Sequence, residues 1–414
     1  MKFRGFKNKF TWILLLSIVF NCSFVASAKR PVVSMSKIIS QALDTAALQS
    51  IRMAESLQAR PGLLPKSITK DGEFETSKTS WWTSGFFPGQ LWYLYAYTKN
   101  STLKYWANEY TQRVRQQMYT KNNHDVGFMI FCSFGNAYNV TGDPAYKMVI
   151  DTAAQSLSTR FLPAVGAIRS WDFSYPGKNW QYPVIIDNMM NLEMLMWASR
   201  AFHKDEFAKI AISHANKTMA NHFRPDFSCY HVVSYNATTG EPEWKGNAQG
   251  YGDSSSWARG QAWALYGYTM MYRETKKPEY LKQAKNIAHF ILSNPHLPAD
   301  KIPYWDFNAS DIPHAYRDAS AGAIICSALI DLSQYVSKKL ASQYLGVAET
   351  QLRALSSPNY RAKLGTNANF LLCHGVGNMP NNTEVDKPLT YADYYYIEAL
   401  IRYNQYVLHK KIIE

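Results

Sequence analysis

The sequence is poor in cysteine and has no motif typical of a metal site. Only five cysteines occur in 414 residues, and no two of them are spaced as C-x-x-C. His, Cys, Asp and Glu residues do not recur at metal-ligand spacing either, so we expect no structural zinc. Four cysteines are interpreted as mostly buried small hydrophobic residues, with a disulfide left open: Cys132, Cys229, Cys326 and Cys373.

Runs of positive charge and long apolar runs are also missing. The sequence has no lysine/arginine run and no nucleic-acid-binding motif, so we expect no nucleic acid partner. After residue 28, no apolar stretch is long enough to span a membrane. The net charge is +13, and +9 without the four basic residues near the N-terminus. This excess is compatible with an acidic substrate, although ordinary surface variation explains it equally well.

The first 28 residues predict a secretory signal peptide. Basic residues precede the apolar segment WILLLSIVF, and the small residues ending at Ala28 fit a cleavage site. We expect a periplasmic protein, with secretion or a lipid anchor at Cys22 as alternatives. Asn21 stands before this cysteine, where small residues are usual. No linker divides residues 29–414, which we interpret as a single catalytic domain.

Apolar residues recur at helical spacing through most of the remaining chain, and β-alternation is almost absent. Only residues 229–244 predict a hairpin. Six predicted helices have one polar face: 35–59, 102–119, 143–163, 204–222, 277–296 and 338–357. Six others are apolar nearly all round and should be buried: 84–99, 126–141, 187–203, 257–274, 317–336 and 391–407.

The alternation of the two helix types predicts an all-α fold of six helical hairpins. Closed into a ring, six hairpins form an (α/α)6 barrel. An open solenoid is the main alternative, but the chain lacks a regular repeat length and polar capping repeats. In a closed ring all inner helices run the same way, so their N-termini meet at one mouth. Helix N-termini favour anions there.

Two aspartates lie at these predicted N-termini, Asp125 in NNHDVG and Asp187 in IIDN. Each alone is most simply a helix N-cap. Together, beside aromatic residues, two carboxylates suit acid/base chemistry on a sugar. Aromatic rings stack on sugar faces, and arginine can donate two parallel hydrogen bonds to a carboxylate. Neighbouring residues at the mouth are Trp82, Trp257, Arg259 and Trp263. His231 and Gln249 lie in the long connection before the fourth inner helix.

Other rim residues have simpler interpretations. Arg317 and Asp318 are expected to form a structural ion pair. Glu193 is expected to be a buried partner or an outer-side neighbour, and the tyrosines at 394–396 to pack inside the barrel. The segment 373–388 is a plausible wall for a second sugar, with Asn378 and Lys387 as candidate contacts.

Five segments along the chain resemble the unsaturated glucuronyl hydrolases of glycoside hydrolase family 88. They are HDVGF (124–128), IIDNMMNLEML (185–195), GYGDSSSWARGQAWALYGY (250–268), YRDASAGAI (316–324) and YADYYYIEAL (391–400). The DSSSWARGQAW run is the most specific, and the others occur in the family's order. Phe86 and Phe87 stand where the family often has a second tryptophan. The related unsaturated rhamnogalacturonyl hydrolases share the barrel and are the nearest alternative.

This resemblance implies an (α/α)6 barrel without a metal, and we expect no cofactor. It also implies removal of a 4-deoxy-4,5-unsaturated hexuronic acid from the non-reducing end of lyase-generated oligosaccharides, of the glycosaminoglycan type. By motif match, Asp187 is the general acid/base and Asp125 the second catalytic carboxylate. The residues implied to line the sugar site are His231, Gln249, Arg259 and Trp263, with Asn247 a weaker match.

The substrate is an enol ether, which an acid can protonate at C4. To hold that proton near neutral pH, Asp187 needs a raised pKa, which burial and the charge of Asp125 or the substrate would supply. Direct inverting hydrolysis of a saturated glycan, sugar epimerisation and non-catalytic binding of an acidic glycan are the rival functions. The aglycone sugar, its sulfation and the oligomeric state stay open.

Overall fold

The computed structural model describes residues 33–175 and 177–412, together with residues 1, 2 and 5. The predicted signal peptide, its cleavage after Ala28 and the lipid site at Cys22 therefore lie almost wholly outside the described residues. Residues before Met35 are divided from a compact second unit, Met35–Glu414. The second unit contains all the helices and strands described below.

Twelve α-helices form in the described part of the chain, close to the predicted positions. They are α1 (Met35–Ser56), α2 (Phe86–Thr98), α3 (Ser101–Arg113), α4 (Asn136–Thr141), α5 (Pro144–Ser158), α6 (Leu192–Phe202), α7 (Asp205–Asn221), α8 (Ala258–Thr275), α9 (Pro278–Ser293), α10 (Ala319–Leu332), α11 (Lys338–Leu355) and α12 (Thr390–Tyr406). A π-helix, Gly127–Gly135, runs directly into α4, and a 3-10 helix, Ile186–Asn191, runs directly into α6.

The even-numbered helices form a closed inner ring. Each packs against the next around the ring, counting the π-helix with α4 and the 3-10 helix with α6, and α12 packs against α2. Every residue of α10 is buried, as expected for an inner helix. The outer helix α9 buries only one stripe, from Tyr280 to Ile291. The (α/α)6 barrel is thereby confirmed, and the open solenoid is excluded.

Glycine allows the inner helices to approach one another closely. A Cβ atom on Gly85 would lie 2.2 Å from the carbonyl oxygen of Phe128. One on Gly89 would lie 2.1 Å from that of Cys132. Because real Cβ atoms do not come this close to backbone, α2 reaches the π-helix only with glycine at both positions.

Short strands lie in the connections that lead from an outer helix to the next inner helix. They are β1 (Leu63–Ile68), β2 (Phe74–Lys78), β3 (Phe161–Leu162), β4 (Ala167–Ile168), β5 (Tyr182–Ile185), β6 (Val232–Tyr235), β7 (Pro242–Gly246), β8 (Gly375–Asn378) and β9 (Thr383–Lys387). The predicted hairpin at 229–244 is the pair β6–β7. Strand β5 joins it to form a three-stranded antiparallel sheet. We did not predict the other strands.

The structural predictions for individual rim residues have mixed outcomes. The prediction that Arg317 pairs with Asp318 is wrong, because Arg317 pairs with Asp300 and Asp318 pairs with Arg259. Glu193 is a partner of Arg273. The tyrosines at 394–396 are buried in the barrel, as predicted.

The four cysteines of the described region are all free thiols. Within that region, no helix has the length and apolar character needed to cross a membrane.

Candidate active site

The β5–β6 pair places His231 beside Asp187. The sheet aligns Ile185 with Val232, so the residues next to them, Ile186 and His231, lie side by side, and the Ile186 amide donates to the His231 carbonyl (2.9 Å). Asp187 follows in the first turn of the 3-10 helix. Its Oδ2 lies 3.4 Å from Nε2 of His231, and the aspartate side chain is 12% exposed. Two residues far apart in the sequence therefore meet through one short strand pairing.

The hydrogen bonds around His231 define which ring nitrogen carries the proton. Its Nδ1 accepts from the backbone N–H groups of Ala248 and Gln249, both at 3.3 Å. A nitrogen that accepts hydrogen bonds has no proton of its own, so the proton is on Nε2 and faces Asp187. The Trp257 ring packs on the imidazole with 4.5 Å between ring centroids. His231 is thus a buried, oriented donor.

Asp125 is connected to Asp187 through contacts of Asn191, which lies in the same 3-10 helix as Asp187. The Asn191 Oδ1 accepts from the Phe128 amide (3.0 Å), and its Nδ2 lies 3.2 Å from Nδ1 of His124. The Nε2 of His124 lies 3.4 Å from Oδ1 of Asp125. The two aspartates therefore belong to one connected cluster, as the sequence predicted.

The two carboxyl groups have opposite pKa shifts. Burial and the negative charge of Asp187 raise the pKa of Asp125 from 3.8 to about 8, although Arg160 opposes the shift. Burial also acts to raise the pKa of Asp187, but His231, His124 and Arg259 outweigh it, so this pKa lies below 3.8. The expected raised pKa of Asp187 is thus wrong for the free site, where the proton of the pair resides on Asp125.

Burial lowers the pKa of His124 to about 3, so this ring is neutral at physiological pH. With its Nδ1 facing the Asn191 amide, His124 presents Nε2–H to Asp125, as His231 presents Nε2–H to Asp187. Each carboxyl group therefore has one neutral imidazole donor beside it. We did not predict this role of His124 from the sequence.

Several buried polar atoms around the two aspartates have no hydrogen-bond partner among the described residues. They are Oδ1 of Asn247 and the Tyr391 hydroxyl and, apart from the 3.4 Å contacts between imidazole and carboxyl group described above, Oδ2 of Asp187 and Nε2 of His124 and His231. Buried polar atoms are normally paired, and exceptions concentrate at functional sites. This group of atoms can donate and accept toward a polar ligand held between the aspartates.

The three predicted tryptophans lie at different depths. Trp82 is half-buried and packs against Phe86, Phe128 and Tyr391. Trp257 is covered by His231 and Arg259. Trp263 has no exposed surface and lies against Phe128 and Tyr395 inside the barrel. Trp82 is therefore the one of the three tryptophans whose ring is partly exposed to solvent, and the Phe86 ring packs against it.

The two terminal nitrogens of Arg259 donate hydrogen bonds to other groups of the protein. Its NH1 donates to Asp318 (3.1 Å) and the Val376 carbonyl, and its NH2 donates to Gln249 (3.1 Å) and the Gly377 carbonyl (2.5 Å). These four bonds use all the hydrogens of both terminal nitrogens. Arg259 thus fixes strand β8 and the Gln249 side chain, and among the described residues only its Nε–H is left without a partner.

Replacing Arg259 by methionine should destabilise the fold strongly. Methionine has neither charge nor a hydrogen-bond donor, so the fully buried Asp318 carboxylate would lose its ionic partner. Breaking a buried pair costs about 3–5 kcal/mol. We expect a loss of this order in the free energy of unfolding, measured by urea denaturation. The double variant Arg259→Met/Asp318→Asn, which leaves no buried charge unpaired, should lose less, and an equal loss in both variants would contradict this assignment.

Asn247 supports the same rim through its amide, which donates to the carbonyls of Gly252 (2.6 Å) and Ser255 (3.1 Å). Its Oδ1 has no hydrogen-bond partner among the described residues. Asn378, a candidate from the 373–388 wall, hydrogen-bonds the side chain of Tyr175. Lys387 lies in β9 of the same hairpin.

An aromatic loop at the mouth was not predicted from the sequence. Trp171 packs edge-on against His231, and Phe173 stacks on Trp171 with the ring planes 14° apart. Trp180 and Trp244 continue this surface. The aromatic density of residues 171–180 is visible in the sequence, but their segment precedes no helix directly. The structure shows it as a wall beside His231.

Among the described residues, no cluster of three or more His, Cys, Asp or Glu side chains is arranged to hold a metal ion. The site described above offers two carboxyl groups and two imidazoles for proton transfer and hydrogen bonding.

A helical barrel with two neighbouring carboxyl groups, oriented histidines and an aromatic mouth suits a glycoside hydrolase, a class of enzyme that works with a pair of carboxyl groups. The chain belongs to Glycosyl Hydrolase Family 88, whose family model matches residues 64–409. This confirms the resemblance found in the sequence.

Known proteins of this kind match most of the chain. An unsaturated glucuronyl hydrolase of Formosa agariphila is 45% identical over 354 residues, 85% of each chain. An unsaturated chondroitin disaccharide hydrolase of Streptococcus pyogenes is 31% identical over 371 residues, covering 88% of this chain and 91% of that protein. The crystal structure of an unsaturated glucuronyl hydrolase specific for heparin superposes with a TM-score of 0.87 at 45% identity, over 92% of this chain and 100% of the other.

Proposed function

We propose that this enzyme removes a 4-deoxy-4,5-unsaturated hexuronic acid from the non-reducing end of glycosaminoglycan oligosaccharides. The group of unpaired buried polar atoms around Asp125 and Asp187 carries the proposal, because it offers acids and donors to one small polar ligand. The relatives described above act on unsaturated uronic acids according to their names. They support the same substrate class here.

The protonation states of the two aspartates suit hydration of an enol ether. In the free site Asp125 is neutral and Asp187 ionised. A bound uronate brings another negative charge and excludes water, and both effects raise the pKa of Asp187. The single proton of the pair then becomes available at Asp187, which is the acid required by the mechanism.

The reaction adds one water molecule across the double bond. Asp187 donates its proton to C4, and C5 becomes an oxocarbenium ion stabilised by the ring oxygen. Water adds at C5 while Asp187, now a carboxylate, takes a proton from it. The resulting hemiketal opens by breaking the bond between C5 and the ring oxygen, which takes up the proton of the C5 hydroxyl and leaves a ketone at C5 and a hemiacetal at C1. The hemiacetal then collapses to an aldehyde at C1, which breaks the glycosidic C1–O bond and releases the aglycone as an alcohol. His231 Nε2–H stabilises the ionised form of Asp187 in both halves of the cycle.

A panel of lyase-generated disaccharides tests the substrate. We expect loss of the ultraviolet absorbance of the conjugated double bond with heparin-type and chondroitin-type disaccharides. Heparin-type disaccharides should react faster, because the 45% identical structure is of a heparin-specific enzyme. Saturated analogues of the same disaccharides are the control and should remain intact. Hydrolysis of the saturated analogues, or no reaction with any unsaturated one, would contradict the proposal.

We also infer that the protein is exported, as the N-terminal sequence predicts. Expressed in a Gram-negative host, it should be recovered from the periplasm with Lys29 as its first residue, as read by N-terminal sequencing. A lipid on Cys22 or recovery of the intact N-terminus from the cytoplasm would contradict this.

A further inference from the structure

The end of the barrel opposite the active site carries a concentrated positive charge. At this end, called the lower face here, inner helices finish and outer helices begin. All three Lys-Lys dipeptides of the chain lie there: Lys276–Lys277, Lys338–Lys339 and Lys410–Lys411. They follow α8, α10 and α12, three consecutive helices of the inner ring. We call these six residues the lysine arc.

The lysine pairs are neighbours in space and open to solvent. Five of the six side chains are exposed, and Lys277 is partly exposed. The Lys276 Nζ lies 4.9 Å from the ring centroid of Tyr335, in the segment that leads to Lys338. The Lys410 Nζ reaches Ser36 at the start of α1 (3.1 Å). The three pairs therefore follow the ends of inner helices that pack against one another in turn.

Helix electrostatics do not account for the arc. Lysine at a helix C-terminus complements the helix dipole, which explains Lys276 as the cap of α8. However, Lys277 is the N-cap of α9, and Lys338 and Lys339 occupy the first turn of α11. Positive charge is unfavourable at these positions. Residues that work against local stability are expected where they serve binding.

Carboxylates are concentrated on the other half of the lower face. Asp143, Asp205 and Glu206 lie at the starts of α5 and α7, away from the arc. Within the arc, Glu279 lies 4.0 Å from Lys277. Lys99 and Lys204 also lie on that half, as the C-cap of α2 and the N-cap of α7. That half is therefore mixed in charge, whereas the lysine arc presents a surface complementary to a polyanion.

We propose that the lysine arc is a second binding surface, which holds an acidic polysaccharide through its carboxylates and sulfates. The identity of this partner rests on the proposed function, because the polymer is the source of the enzyme's oligosaccharides. Its repeating charges match a row of lysine pairs better than a single small anion would. Binding there keeps the enzyme on the polymer and raises the local concentration of cleavable ends.

Binding of intact heparin with saturated ends tests the arc without engaging the catalytic site. The wild-type protein should bind it in affinity electrophoresis, with affinity falling steeply as salt rises. The variant Lys338→Ala/Lys339→Ala should lower the slope of log affinity against log salt by up to about two, since two counterion-releasing contacts are lost. The matched control is Lys282→Ala/Lys285→Ala, which removes two exposed lysines from the side of α9. It should bind like wild type.

Equal weakening in the control and the arc variant, or no weakening in either, would overturn the proposal. Binding to phosphatidylglycerol vesicles with none to heparin would also overturn it and assign the arc to a membrane surface. Disaccharide turnover is measured in parallel and should be unchanged in both variants; its loss in the arc variant would contradict a separate site. If the wild-type protein turns over no disaccharide, the proposed function is wrong. The heparin measurements would still show whether the lysine arc binds an acidic polysaccharide.

Discussion

Replacing Asp187 by asparagine is expected to lower kcat on an unsaturated disaccharide by about 10²–10⁴-fold, the contribution typical of a general acid/base. The amide has the shape of the carboxyl group but can neither give a proton to C4 nor accept one from water. Because the new amide would still face His231, we expect the fold to be retained. The absorbance assay measures the loss, and circular dichroism and the melting temperature check the fold.

Asp393→Asn is the matched control for this variant. Asp393 also lies in the first turn of an inner helix, and it is buried. Its two oxygens accept from the backbone amides of Leu371 and Leu372, so its role is to hold that segment. The control should keep its kcat although it loses stability. Wild-type turnover by Asp187→Asn, or an equal loss of kcat in the control, would exclude Asp187 as the acid/base.

The barrel was predictable because its evidence is local and repeated. Inner helices such as α10 are apolar all round, whereas outer helices such as α9 have one apolar stripe, and this contrast recurs six times. Helix starts also have local signals. Asp143 and Pro144 begin α5 as expected, with the Asp143 side chain accepting from a backbone amide of the first turn. From the closed ring, the convergence of Asp125 and Asp187 follows by geometry.

The contacts within the site were not predictable, because they depend on pairings between distant short segments. Strands β5 and β6 have four residues each, too few to give a clear alternation signal, yet their register sets His231 against Asp187. Likewise, nothing in the sequence around Arg259 indicates that carbonyl groups of β8 will occupy its guanidinium. The pKa directions follow from such distances, which explains why the sequence assigned the proton to the wrong carboxyl group in the free site.

Asp125→Asn should abolish turnover while preserving substrate binding. Asparagine resembles the neutral carboxyl group that Asp125 presents in the free site. We therefore expect KM to stay near the wild-type value. Because the amide cannot release a proton, Asp187 loses the partner with which it shares one and remains ionised. We expect kcat to fall by about 10²–10⁴-fold. In the wild type, kcat/KM should fall as pH rises through about 8, where Asp125 loses its proton. This decline should be absent from the residual activity of the variant.

The same substitution should increase stability at alkaline pH. The pKa of Asp125 is 3.8 ordinarily and about 8 in the folded protein, so between these values the folded state binds a proton that the unfolded state does not. The folded state therefore loses stability as pH rises across this window. Asparagine does not titrate, so Asp125→Asn should melt at a higher temperature than wild type at pH 9, and the difference should shrink toward pH 4. A lower melting temperature at pH 9, or a wild-type pH profile of activity, would show that Asp125 is an ordinary ionised carboxylate. The shared proton, and with it the supply of acid to Asp187, would then be excluded.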